Sequence, residues 1–247
     1  MSKVIVIGDS CTDIFKYGDI ERICPEAPVP IIKTTHEVKN GGMSKNVVSN
    51  LEAMGVDVVH IITNPNDIKK IRYVDNRSNQ LVLRVDEHDY CERINLDVFN
   101  SIDMSDYDAV IISDYCKGFL TEGDIKYICK NYKNVFIDTK KQLGDWILDS
   151  DYIKINEFEH KKNFEIIPSY PNLQDKLIVT RGKDGCEYMG EVFKVDEVPV
   201  KDVSGAGDTF LAGLVKNYIE TQDIKESIKF AQKCTTIVVQ KHGVATI

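Results

Sequence analysis

The sequence predicts an α/β domain in which helices cover both faces of a parallel sheet and a small β-layer projects from one side. Three observations predict it. Short, β-branched apolar runs alternate with amphipathic helical patterns, as buried parallel strands and their crossover helices should. Two early segments break that alternation, one with prolines and one with a hairpin pattern. The chain has 247 residues, 43% apolar and 28% charged, which suits an ordinary globular protein with a sizeable core.

In chain order, residues 3–7 read as the first strand. Residues 17–38 contain Pro25, Pro28 and Pro30, which exclude a helix, and an extended stretch at 29–35. A helix is expected over 46–54 and a strand over 57–62. Residues 71–85 alternate around Asn76-Arg77-Ser78-Asn79, the pattern of a hairpin. Segments 17–38 and 71–85 come early and neither is a crossover, so together they are expected to form a β-lid. Strands follow at 109–112, 134–137, 152–155 and 176–179, with helices over 121–131 and 156–162. Two helices close the chain. The first carries Phe210, Leu211, Leu214, Val215 and Tyr218 on one face, and the second Ile224, Ile228, Ala231, Thr235 and Val238. No internal repeat or linker divides residues 1–247, so a single domain is expected.

Lys plus Arg is 31 against 39 Asp plus Glu, a net charge of -8. That balance argues against a nucleic-acid duplex as partner, while leaving room for a local basic pocket that takes one small anion. No apolar run approaches the ~20 residues of a membrane helix. Val4-Ile5-Val6-Ile7 is too short for a signal-peptide core, so a cytoplasmic protein is expected. The seven cysteines are scattered, without a C-x-x-C pair, and are expected to be free thiols. The five histidines form no H-E-x-x-H pattern.

The stretch Asp202-Val203-Ser204-Gly205-Ala206-Gly207-Asp208-Thr209-Phe210 carries the chemistry. Gly205 and Gly207 flank Ala206 directly before an amphipathic helix, so backbone N–H groups can converge on an anion without Cβ obstruction. The helix N-terminus adds about half a positive charge there. Asp208 falls in the first turn. A carboxylate beside an anion hole suits removal of a hydroxyl proton while negative charge develops on a transferring phosphoryl group. A Gly-rich turn capped by an Asp is the alternative on local pattern alone. The Walker A spacing is absent.

Gly205-Ala206-Gly207-Asp208 resembles the signature of the ribokinase-like sugar kinases, the phosphofructokinase B family, with Ser204 where Thr is usual. The resemblance implies a three-layer α/β/α sandwich with a β-lid, Asp208 as catalytic base, and Gly205, Ala206 and Gly207 as the anion hole. Gly41-Gly42-Met43-Ser44-Lys45-Asn46 is similar to the family's second signature, whose Gly41, Gly42 and Asn46 are implied sugar contacts. Residues 8–13, 17–30, 79–86, 113–118, 137–140 and 241–246 resemble the branch that phosphorylates the anomeric hydroxyl of a heptose 7-phosphate with ATP and magnesium. The likeness covers nearly the whole chain; the alternatives to that branch are a kinase for another sugar or sugar phosphate, and a non-catalytic relative acting as a binding protein.

By that resemblance Asp13 is an acceptor for sugar hydroxyls, a task a carboxylate suits. Asn156 and Glu159 match an N-x-x-E motif that orders magnesium-bound phosphates, Glu159 reaching the metal through water. The same pair also reads as a helix N-cap with an acidic first turn. Thr180, Arg181, Gly182 and Gly185 match a strand-to-turn element beside the nucleotide. A substrate phosphate needs cationic partners, for which Arg22, Arg84, Lys45 and Lys117 are candidates; Lys45 is equally suited to facing solvent.

Three departures accompany the match. The chain is shorter than its relatives between Ile62 and Ile68, by roughly a helix and a strand. The Gly-Gly pair is offset by one residue, with Ser44-Lys45 where small residues are usual. No H-x-G-H pattern accompanies His242-Gly243, so nucleotidyl transfer is expected in another chain. Uncovered sheet edges in the lid lead us to expect a homodimer through it.

Overall fold

The computed structural model describes residues 2–62, 68–95, 97, 101–103, 106–241 and 243–247. Lys3–Gly8 (β1) is buried at every position after Lys3, as a central strand covered on both faces must be. It pairs in parallel with Asp57–Ile61 (β4) on one side and Ala109–Asp114 (β7) on the other. Val135–Thr139 (β8), Tyr152–Asn156 (β9) and Leu177–Thr180 (β10) continue the parallel run. A small antiparallel hairpin, Cys186–Tyr188 (β11) and Glu191–Phe193 (β12), completes an eight-stranded sheet among the described residues.

Alternation along the strands sorts the core into two faces. Val4, Val6, Ala109, Ile111 and Phe136 meet the apolar faces of Ser44–Ala53 (α1), Ala206–Thr221 (α4) and Ile224–Val238 (α5). Ile5, Ile7, Val110, Ile112 and Ile137 turn the other way, onto Ile125 and Ile128 of Glu122–Asn131 (α2) and onto Trp146, Ile147 and Leu173. Helices therefore lie on both faces, giving the expected three layers. Thr121 caps α2 in a reciprocal capping box with Asp124, and Asp223 caps α5.

The lid is a separate four-stranded sheet. Ser10–Ile23 (β2) lies at its centre, antiparallel to Pro30–Met43 (β3) and parallel to Ile68–Asp75 (β5), which pairs with Leu81–Glu87 (β6). It is thus longer than the 17–38 and 71–85 segments the sequence marked. β2 starts immediately after the β1 end and β3 runs into α1, because Asp13 and the Gly41-Gly42 pair sit within paired strands rather than in turns. The hairpin at 76–79 is where the pattern put it. The departure between Ile62 and Ile68 falls on residues 63–67, outside the described residues. All seven cysteines are free, five of them buried.

Candidate active site

Asp208 stands in the first turn of α4 and is buried. Its Oδ2 accepts a hydrogen bond from Asn46 Nδ2 at 3.1 Å, and its Oδ1 accepts one from the Tyr115 hydroxyl at 2.6 Å. Burial raises its pKa above the usual carboxylate range. The Tyr115 and Asn46 hydrogen bonds and the Lys154 charge oppose that rise, while Asp138 adds to it. The group is ionisable, positioned and basic for an aspartate, the properties required of a general base.

The glycines beside it are there for two different reasons. Gly205 has φ +79°, a left-handed conformation, and a Cβ on it would lie 2.4 Å from Asn46 Nδ2. On Gly207 a Cβ would lie 2.8 Å from Lys154 Nζ. The first-turn amides of Gly207 and Asp208 have no carbonyl partner within the helix. Asp202 fixes the approach to the loop, accepting from Ser204 N at 2.8 Å and Gly243 N at 3.1 Å.

Beneath the loop lies a buried ionic network. Lys154 Nζ contacts Asp138 Oδ2 at 2.6 Å, with the two side chains 3% and 1% exposed. Lys140 bridges Asp138 at 3.2 Å and Glu159 at 2.6 Å. Burial opposes the charge on Asp138, but Lys154 and Lys140 together hold its pKa below the usual range. Asn156 caps Glu157–Lys162 (α3): its Oδ1 accepts from Glu159 N at 2.9 Å, and Glu159 accepts from Asn156 N and Nδ2, each at 2.8 Å. The capping reading of this pair is therefore correct. Among the described residues no three His, Cys, Asp or Glu side chains gather as a metal site. Asp138 and Glu159 are already held by lysines.

On the side of β10, a cleft of about 420 Å³ runs from Thr180, Gly182 and Gly185 past Val195, Val200 and Val203 to Ala206 and Gly207. Its apolar wall and its contact with the α4 N-terminus suit a flat base joined to phosphates. Arg181, between Thr180 and Gly182, does not line it and is bound to Glu187 at 2.6 Å.

On the other side the lid presents charge. Asp13 is buried in β2 and ion-paired with Arg72 of β5, and a Cβ on Gly42 would collide with its Oδ2. Lys70 and Arg72 stand two apart on β5 and so share a face. Arg84 lies opposite Arg72 in register and is bound to Asp86 at 2.7 Å. Lys117 reaches Asp89 at 2.6 Å, close by. Arg22 is exposed at the far end of β2 and is not brought to this cluster within one chain. Lys45 lies over Gly41, with its charge directed at His60, whose pKa falls to about 4 through burial and that neighbour. His242 lies outside the described residues.

Of the residues singled out in the sequence, Asn46 contacts both Asp208 and Gly205, Asn156 contacts Glu159, and Asp13 is paired instead with Arg72 of the lid. Sequence reasoning missed Tyr115, Lys140, Lys154, Asp138, Lys70 and Arg72. For Arg72 a signal was present, since it lies within the 71–85 segment read as part of the lid.

Residues 41–247 match the family described as pfkB family carbohydrate kinase. A bifunctional protein HldE of Helicobacter acinonychis is 29% identical over 99% of this chain and 64% of its own length; this chain therefore spans less than two thirds of that relative. Among solved structures, the Methanocaldococcus jannaschii nucleoside kinase, an archaeal member of the ribokinase family, superposes with a TM-score of 0.70 at 15% identity, covering 99% of this chain and 93% of its own. Arabidopsis thaliana ribokinase, complexed with ribose and ATP, gives 0.66 at 16% identity, covering 98% and 94%. With its ribokinase-like fold and a match across most of its length, the chain belongs to the pfkB family of carbohydrate kinases.

Proposed function

We propose that the protein transfers the γ-phosphoryl group of ATP to the anomeric hydroxyl of a heptose 7-phosphate, giving the 1,7-bisphosphate. The observation that carries this reading is Asp208, a buried and basic carboxylate beside the Gly205-Ala206-Gly207 amides, with a lid on which Asp13, Lys70, Arg72 and Arg84 lie in neighbouring register. The match to HldE supports the heptose, and the ATP-bound ribokinase supports the nucleotide.

In this reading the nucleotide occupies the cleft from Thr180 to Val203, with Gly182 and Gly185 at its edge and Arg181 adjoining Gly182. Asp13 and Asn46, with the Gly41-Gly42 backbone, hold the sugar. Lys70, Arg72 and Arg84 face its distal phosphate, with Lys117 beside them. Asp208 removes the hydroxyl proton as the oxygen attacks phosphorus; the bond from the γ-phosphorus to ADP breaks, and the amides and Lys154 meet the developing charge. Glu159, through water, would hold magnesium together with the nucleotide phosphates, and the ion would offset their charge. Seven free thiols favour a reducing, cytoplasmic setting. Exposed Ile23, Val29, Val38 and Leu83 on the lid favour a homodimer through it.

The test is turnover of the purified protein with ATP and a panel of sugars. Heptose 7-phosphate should be used far better than free heptose or hexose phosphates. Equal kcat/KM for free heptose and heptose 7-phosphate would remove the distal-phosphate site and, with it, the heptose assignment.

A further inference from the structure

Tyr115 occupies a position that the reading above leaves unexplained. It follows β7, and its backbone N–H donates to Asp9 Oδ2 at 2.6 Å. The same buried carboxylate accepts from Lys117 N at 3.2 Å, Phe119 N at 3.4 Å and the Cys91 thiol at 3.2 Å. Asp9 therefore pins the whole turn that presents Tyr115. Two ammonium groups lie against the phenol ring: Lys70 of the lid is 5.3 Å from its centroid, and Lys140 is 5.1 Å away. Its hydroxyl ends 2.6 Å from Asp208 Oδ1. One side chain thus touches the base, the lid and the ionic network under the anion hole.

We propose that Tyr115 is the positioning residue of the phosphoryl transfer, fixing the Asp208 carboxylate by a hydrogen bond to Oδ1 while Lys70 and Lys140 rest against its ring. This rests on Asp208 being the base. Asn46 steadies the other oxygen, so the carboxylate cannot rotate about its bond without losing one partner. Each oxygen keeps a further lone pair, one of which remains for the acceptor hydroxyl. The phenol stays protonated, and hence a donor, because burial and the nearby charges of Asp208 and Asp138 raise its pKa well above the ordinary tyrosine value.

The other groups facing Asp208 are Asn46 on α1, Asp138 on β8 and Lys154 on β9, with the Cys11 thiol of β2 nearby. None is altered by changing Tyr115→Phe. A hydrogen bond to the ionised carboxylate favours that form, so its loss raises the Asp208 pKa. The acid limb of kcat/KM reports the base of the free enzyme.

The experiment measures kcat/KM against pH for wild type, Y115F, D208N and a variant carrying 3,5-difluorotyrosine at position 115, with ATP affinity as the check on folding. Expected for Y115F is an acid limb moved up by about one pH unit, which is a tenfold loss on the acid side, with ATP affinity unchanged. The fluorinated phenol is a stronger donor and should move the limb down. An unmoved limb in both variants overturns the proposal, even if the plateau falls. D208N separates the two readings: turnover retained in it removes the base assignment itself, whereas an inactive D208N beside unmoved Tyr115 limbs removes only the role of Tyr115.

Discussion

Asn46 on α1 donates its side-chain amide to Asp208 on α4 at 3.1 Å, joining residues 162 positions apart in the chain. The same nitrogen reaches the Gly205 carbonyl at 3.3 Å. One amide therefore orients both the carboxylate and the loop in front of it, and Asn50 holds that amide in turn through a 3.1 Å bond to Asn46 Oδ1.

Substituting the loop glycines should expose this dependence. Gly205→Ala forces a left-handed alanine and drives its Cβ into Asn46, so both kcat and thermal stability should fall, the latter by about 1–3 kcal/mol. Gly207→Ala meets only the end of Lys154 and should lower kcat with a smaller change in Tm. Steady-state kinetics beside thermal melts distinguish the two, and a fully active Gly205→Ala would show that the loop geometry is not needed.

Asp208→Asn should lower kcat by roughly 10²–10⁴ while nucleotide affinity is kept. Stability should move the other way. The folded-state pKa of Asp208 is raised, so the native state holds its proton more tightly than the unfolded chain does. Stability is then lost as pH rises through the folded pKa, and the penalty is complete above it. Asparagine carries no such penalty, so at pH 8 the variant should melt no lower than wild type. A lower Tm there contradicts this account.

The buried Asp138–Lys154 pair should be costly to halve. Asp138→Ala leaves the Lys154 ammonium buried without its nearest partner, a loss of about 3–5 kcal/mol by denaturant titration. Replacing both with apolar residues should cost less. Because the folded Asp138 pKa is depressed, its contribution is complete above the unfolded value, near pH 4, and disappears as pH falls through the folded one. The gap between wild type and Asp138→Ala should therefore close in acid. A constant gap from pH 7 to pH 2 rules this out.

Arg84→Ala should weaken use of heptose 7-phosphate much more than use of free heptose, by about 10–100-fold in the ratio of kcat/KM values. Arg72→Ala should do the same and should also raise KM for both sugars, since it leaves Asp13 without its ion-pair partner. An unchanged ratio in both variants would place the distal phosphate elsewhere.

Light scattering at micromolar concentration should give about twice 28.0 kDa. Leu83→Asp, on an exposed lid strand, should shift the mass toward one chain if the lids form the interface. A wild-type protein at 28.0 kDa contradicts the dimer.

Local pattern was enough to locate every strand of the parallel run and all five described helices, because burial on both faces demands continuous apolar runs and amphipathic helices demand their period. It also marked Gly205, Gly207 and Asp208, whose chemistry depends on neighbours in sequence. The small β11–β12 hairpin went unread, having only three residues in each strand. The lid ends were misplaced because Asp13 and Gly41-Gly42 look like turn residues until pairing across β2 and β3 shows them in register.

What the sequence determined by itself, then, was the order of the main elements and the Gly205-Ala206-Gly207 loop before its helix, both set by interactions within a few residues. Only the tertiary structure decided how Asp208 is held. Asn46, Tyr115, Asp138 and Lys154 come from four separate elements, and each looks unremarkable in its own segment. Their meaning comes from burial, which raises the energy of an unpaired charge and so forces distant partners into contact.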